Sequence, residues 1–417
     1  MPPDLAVVNI SQLVTNSKCS VGQTVDEDSL GIINDGAMIV DNGKITWTGS
    51  MQQYRALNLG KPGRLIDATG RLVTPGFVDP HTHLVFGGSR EDEFERKLKG
   101  ESYKQILDSG GGIKRTIMST RESSVEALFD AAQSRLKQLI SCGVTTIEVK
   151  TGYGQDLNTE EKILKVAQLL EEHSGIDIIP TFLGLHSTPP EYGSASDYTR
   201  YIIRDVLPKI ATLSYRPVFS DCFCESGIFD QDLCRSYLKA SSTFGFRLKI
   251  HADEFGASGG AELAAETGCT SADHLENSTE AGLLSMAERG VVAVLLPATA
   301  LYSGIKPPDA KRIQKLGCTI ALGTDLSPNS WVESPQLVMM LACTQMGLSP
   351  AQALSAFTFG ASLALARDDT GRLVPGAKAD FVIHEVPDYR FLVYRIGGQY
   401  VSSVFKSGVQ IYRKQQD

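Results

Sequence analysis

The chain has 417 residues, 42% of them apolar and 21% charged, with a net charge of −8 and an isoelectric point near 5.5. That size and balance describe an ordinary globular protein with ample material for a buried core. No basic stretch long enough to follow a phosphate backbone is present, no apolar run approaches the roughly 18 residues that span a bilayer, and the N-terminus MPPDLAVVNIS lacks the profile of a secretion signal. Nucleic acid and membrane are therefore not expected as partners, and a cytoplasmic location is.

The first ~70 residues predict short strands: LAVVNISQLVTN, GAMIVDNGKITWTGS and GRLIDATGRLVT are rich in Val, Ile and Thr, with an Asp-Asn-Gly-Lys turn between two of them. The last ~50 return to that texture in GRLVPGAKADFVIHEV and SSVFKSGVQIYR. One small β-sandwich built from both ends, residues 1–75 with 366–417, is expected. Between them eight strand-like runs, at 76–84, 144–151, 177–186, 217–225, 246–254, 271–276, 291–299 and 318–325, alternate with helix-period stretches such as TEEKILKVAQLLEEH. Eight βα units predict an α/β fold of the closed (β/α)₈ TIM-barrel type over residues 76–365. The interval 85–143 is too long for one unit. Its Gly110-Gly111-Gly112 lacks the flanking strand of a phosphate-cradling turn, so a flexible loop near the mouth of the barrel is expected there.

The chemistry-bearing residues fall at the C-terminal ends of these strands, which a barrel gathers on one face. His81 and His83 are two apart on a strand and leave the same side, a spacing that suits two ligands of one metal. His251 offers a third nitrogen, and Glu254 follows within one turn of chain, placed to move protons or else to form a structural pair. His274, in Ser-Ala-Asp-His-Leu-Glu, is either a distal ligand or a hydrogen-bond partner of the attacking water or substrate. Asp325, after Gly323-Thr324, is a carboxylate able to ligate a metal and accept a proton. A divalent metal lowers the pKa of a coordinated water to about 7, so such neighbours complete its deprotonation at neutral pH. His186 ends another apolar strand and belongs to the same face, whereas His173 and His384 read as surface or structural. Lys150 also ends a strand; a lysine bridging two metals there is the weaker reading, because Glu254 takes the room of a second ion. None of the eight cysteines lies in a Cys-x-x-Cys pair, so they are expected as buried small hydrophobes.

A His-x-His, His, His and Asp on successive barrel strands, enclosed by a sheet domain from both termini, resembles the amidohydrolase superfamily and its mononuclear branch. SYKQILDSGGGIKRTI, EVKTGYGQDL, TFLGLHSTPPEY, LKIHADEF, GGAELAAETG and SADHLE resemble the imidazolonepropionase family, in order, across most of the chain. That resemblance implies hydrolytic opening of 4-imidazolone-5-propanoate to N-formimidoyl-L-glutamate in histidine degradation. It implies one zinc or iron ion on His81, His83, His251 and Asp325, with the His274–Asp325 pair taking up a proton and Glu254 delivering one. It further implies substrate contacts from Arg90, Tyr103, Tyr153, His186 and Glu254, and from the segment carrying Ser327, Asn329 and Ser330. There the chain departs from the family, with Ser327 in place of an Asn and Asn329 in place of a Gly. A homodimer is expected by the same likeness. The rival expectations are a deaminase of this fold acting on a purine, pterin or related ring, and a non-catalytic binding protein that kept the barrel.

Overall fold

Runs of β-branched residues bounded by turns make two sheets in the computed structural model, which describes residues 2–101, 105–106 and 109–415. Strands β1 (Leu5–Leu13), β2 (Ile33–Asp41), β3 (Lys44–Ser50), β4 (Arg64–Asp67) and β5 (Leu72–Pro75) come from the N-terminal end. With β14 (Phe381–His384), β15 (Val401–Lys406) and β16 (Val409–Arg413) they form one sheet of order β16-β15-β14-β5-β1-β2-β3, with β4 on β1. Asn42 and Gly43, both at positive φ, turn β2 into β3, the two-residue hairpin that Asn-Gly favours. Leu5, Val7, Ile10, Met38, Val73, Phe381 and Phe405 share one apolar core, so neither end can bury its strands alone.

The second sheet is the barrel. Its strands are β6 (Phe77–Asp79), β7 (Val144–Lys150), β8 (Asp177–Leu185), β9 (Phe219–Cys224), β10 (Arg247–Ala252), β11 (Ser271–His274), β12 (Val292–Leu295) and β13 (Ile320–Leu322), each parallel to the next. Closure of β13 on β6 lies just beyond their ends: the Asp325 amide donates to His81 O at 3.0 Å and the His83 amide to Leu326 O at 2.9 Å. Helices packed outside include Val125–Ser141, Leu157–Ser174, Gln231–Thr243 and Glu280–Arg289. Ser124, Asp156, Asp230 and Thr279 cap their first turns by accepting a backbone N–H three residues on.

The interval expected as a loop is instead largely helical: Glu91–Leu98, Ile113–Glu122 and the capped Val125–Ser141 lie in it. The Gly112 amide donates to the Glu93 carboxylate at 2.9 Å, so the three glycines join helices and cradle no phosphate. The cysteines are unpaired, and all but the half-buried Cys343 are buried. No helix among the described residues is long and apolar enough to cross a membrane.

Candidate metal and substrate site

Side chains of alternate strand residues fill the barrel in layers. Val78, Ile179, Phe219, Val294 and Ala321 close its floor. Above them lies a fully buried ionic layer. Lys150 Nζ stands 2.6 Å from Asp221, 3.0 Å from Glu148 and 3.4 Å from Asp273, while Lys249 Nζ is 2.9 Å from Glu148 and donates to Pro80 O at 2.8 Å. Burial alone would lower the Lys150 pKa, but Asp221, Glu148 and Asp273 outweigh it and hold the proton firmly. An ammonium locked among three carboxylates has no role as a metal bridge.

This layer aims the histidines. His81 Nδ1 meets Asp273 Oδ2 at 2.6 Å and His251 Nδ1 meets Asp221 at 3.2 Å. Each imidazole thus keeps its proton on Nδ1 and turns Nε2 to the barrel mouth, the orienting device common to metal-ligating histidines. Both Nε2 atoms are buried without a hydrogen-bond partner. Thr299 donates to Asp325 Oδ2 at 2.6 Å, which leaves Oδ1 at 3.6 Å from His81 Nε2 and 3.6 Å from His83 Nε2. The ligand atoms of His81, His83 and Asp325, and those of His81, His251 and His274, each lie within 4.8 Å of one another. Tetrahedral ligands at about 2.0–2.1 Å from a metal sit about 3.4 Å apart. The donor types, the spacing and the orphaned nitrogens all fit a divalent ion beside His81. Burial, then Lys150 and the neighbouring histidines, holds His81 and His251 well below the ordinary imidazole pKa, in the neutral form that ligates.

Around this centre the backbone is strained: His274, Leu275, Asp253 and Asp325 all have φ between 49° and 79° without being glycine. Asp253 offsets the strain by accepting from the amides of Ser258, Gly260 and Ala261 and from the Ser278 hydroxyl, which fixes the turn that carries Glu254. Glu254 Oε2 is 3.7 Å from His274 Nε2. Burial first, then Glu276 and Asp325, pushes the Glu254 carboxyl well above its usual range.

A cavity of about 1890 Å³ opens over the centre and is lined by His83, His251, Glu254, His274 and Asp325. Arg90, Tyr153, His186, Ser327 and Asn329 line it too. His186 stacks on His83 with ring centroids 5.1 Å apart, and its Nδ1 is 3.2 Å from Gly152 O. Tyr153 lies 5.5 Å from His83 and 5.2 Å from His186, ring to ring. Ser330 is buried behind the wall, its amide donating to Ser327 Oγ at 3.2 Å and its carbonyl accepting from the Ser327 amide at 3.0 Å; it shapes the turn and does not line the cavity. Tyr103 lies outside the described residues. Sequence reasoning missed Asp221, Glu148, Lys249, Asp273 and Thr299. The signal was there for Glu148 and Lys249, each two residues before a recognised residue of its own strand, Lys150 and His251; Asp273 instead adjoins His274, whose φ of 79° breaks the alternation, and Asp221 shares its strand with no recognised residue.

An eight-stranded barrel with histidines and an aspartate at its mouth, grouped so that they could hold a metal, is the architecture of the amidohydrolases, and the Amidohydrolase family model matches residues 64–99 and 90–412. The fold is shared with an adenosine deaminase from Xanthomonas campestris with bound zinc (TM-score 0.73, 17% identity, all of this chain and 95% of that one). A 5-methylcytosine deaminase from Klebsiella pneumoniae is similarly alike (TM-score 0.72, 16% identity, 99% of each chain). Imidazolonepropionases of Geobacillus sp. (strain WCH70) and Clostridium tetani are 42% and 41% identical to this chain over 97% and 99% of both lengths. The chain belongs to the imidazolonepropionase family of hydrolases.

Proposed function

We propose that this protein hydrolyses the ring amide of 4-imidazolone-5-propanoate to N-formimidoyl-L-glutamate, with one divalent ion on His81, His83, His251 and Asp325. The observation that carries the reading is the meeting, in one cavity, of His83, His251 and Asp325, with His81 grouped against them, and of Glu254, His274 and the cationic Arg90. Zinc or iron bound there would supply a Lewis acid for the ring carbonyl and acidify the attacking water. Arg90 holds the propanoate tail through its planar fork, while Tyr153 and His186 border the ring. His274 and Asp325 take the proton of the attacking water as its oxygen bonds to the carbonyl carbon. Glu254, kept protonated by burial and by Glu276 and Asp325, donates its proton to the ring nitrogen as the C–N bond breaks. Water's hydroxyl thus ends on carbon and its hydrogen on nitrogen, and both nitrogens stay in the product. The protein acts as a cytoplasmic homodimer in this reading, without nucleic-acid or membrane partners.

Purified protein incubated with imidazolonepropionate should consume the ring chromophore and yield formimidoylglutamate with no stoichiometric ammonia. Ammonia release from adenosine or 5-methylcytosine, with imidazolonepropionate untouched, would overturn the reading in favour of a deaminase.

A further inference from the structure

Arg90 caps the helix Glu91–Leu98 and Lys97 follows seven residues on, two turns along the same face. Both side chains line the cavity. Arg90 is 8% exposed, and its Nε has no hydrogen-bond partner; the Glu93 carboxylate comes no nearer than 3.9 Å and already accepts from the Gly112 amide. Lys97 Nζ donates to the neutral carbonyl of Asn329 at 2.8 Å, which leaves two of its three N–H groups for other partners. Glu101, which also lines the cavity, is taken by Arg96 at 2.7 Å. Burial first and Arg90 second depress the Lys97 pKa, so the two cations share one field. Asn329 stands four residues after Asp325, in the turn that Ser327 and Ser330 close on each other. Its amide therefore ties Lys97 to the segment that carries the metal-site carboxylate.

We propose that Lys97, tethered by Asn329, joins Arg90 in a two-cation subsite that binds the carboxylate tail of the substrate and selects an anionic ring amide over a neutral one. The proposal rests on the hydrolase reading above and extends it to a residue that reading does not use. Arg90 supplies the directional fork and Lys97 a point charge on the open side. The side chain of Asn329, where the family resemblance has glycine, is what brings that charge to the turn.

The test is calorimetric binding of two stable probes to the metal-loaded protein: 3-(imidazol-4-yl)propanoate and its neutral propanamide. Wild type should prefer the propanoate. Lys97→Met should weaken it about tenfold, the lower end for a charge-assisted hydrogen bond, and leave the propanamide within about twofold. Asn329→Asp should mimic that loss, because its own carboxylate captures Lys97, and Lys97→Arg should restore most of the preference. No preference in wild type, or equal weakening of both probes in Lys97→Met, would overturn the subsite and reduce the Lys97–Asn329 contact to scaffolding. Failure of the hydrolase reading is seen separately, as absence of imidazolonepropionate turnover by the wild type whatever the probes do.

Discussion

Asp273→Asn removes one negative charge from beneath His81 while keeping the shape of the side chain. In the wild type, Asp273 Oδ2 accepts from His81 Nδ1 at 2.6 Å and Oδ1 accepts from the Ser271 hydroxyl at 2.6 Å. Lys150 and Lys249 lie 3.4 and 3.7 Å from Oδ2 and, against the effect of burial, keep Asp273 ionised. The substitution turns a layer of two lysines and three carboxylates into one of two and two. His81 becomes a poorer donor to anything on its Nε2. Loss of such an orienting carboxylate weakens metal binding about 10–100-fold, or roughly 1.4–2.7 kcal/mol. The lysines lose part of their compensation as well, so the metal-free fold should lose about 3 kcal/mol. Competition against a chelator of known zinc affinity measures the first effect, and denaturant unfolding of the metal-free protein measures the second. A folded Asp273→Asn protein whose zinc affinity stays within about twofold of wild type would refute the coupling of the ionic layer to the site.

His251→Ala should abolish both the bound ion and turnover, while the metal-free protein still unfolds cooperatively; elemental analysis should give one ion per wild-type chain, and two would refute a single-ion centre. Arg90→Lys keeps the charge but loses the fork, so KM for imidazolonepropionate should rise about tenfold with a smaller change in kcat; an unchanged KM removes Arg90 from the site. Asp177, at the start of β8, is 2.9 Å from Lys406 and 2.8 Å from Lys378, and these lysines lower its pKa in spite of burial. A lowered folded-state pKa adds stability above the unfolded value near 3.9, and that stability fades as pH falls below it. Asp177→Asn should therefore cost about 2–3 kcal/mol near neutral pH, discounted for partial exposure, with the gap to wild type closing below about pH 4. Thermal melts from pH 3 to 7 check this, and a gap independent of pH would refute it.

The histidines could be read from the sequence because each ends an apolar run, where a polar residue is conspicuous and the barrel leaves one place for it. Asp325 was legible for the same reason, and the paired β-rich ends announced a sheet drawn from both termini. The ionic layer was harder. Lys249 shares its strand with His251 and Glu148 shares its strand with Lys150, and a charge in a short strand reads as an exposed edge until its partners on other strands are known. Apart from the neighbours Glu148 and Lys150 on one strand, the pairs that neutralise this layer join different strands, such as Lys150 with Asp221 (71 positions apart) and His81 with Asp273 (192), and no local pattern encodes them. The helix Glu91–Leu98 escaped notice because EDEFERKL has only Phe94 and Leu98 as apolar residues, both substantially exposed. Its stability comes from charges and its position, neither of which a periodicity of buried side chains reveals.

The pairing of β5 with β14 has a consequence for how the chain is made. Residues 72–75 leave the ribosome about 300 positions ahead of their partner residues 381–384. At about 5–20 residues per second, that interval lasts roughly 15–60 s. For all of it, the β5 edge of the N-terminal strands has no partner, and an open edge of this kind recruits other strands. A nascent chain of this design depends on something to cover that edge during synthesis, and a truncation that removes only the last ~40 residues should aggregate even though it contains every ligand of the proposed metal site.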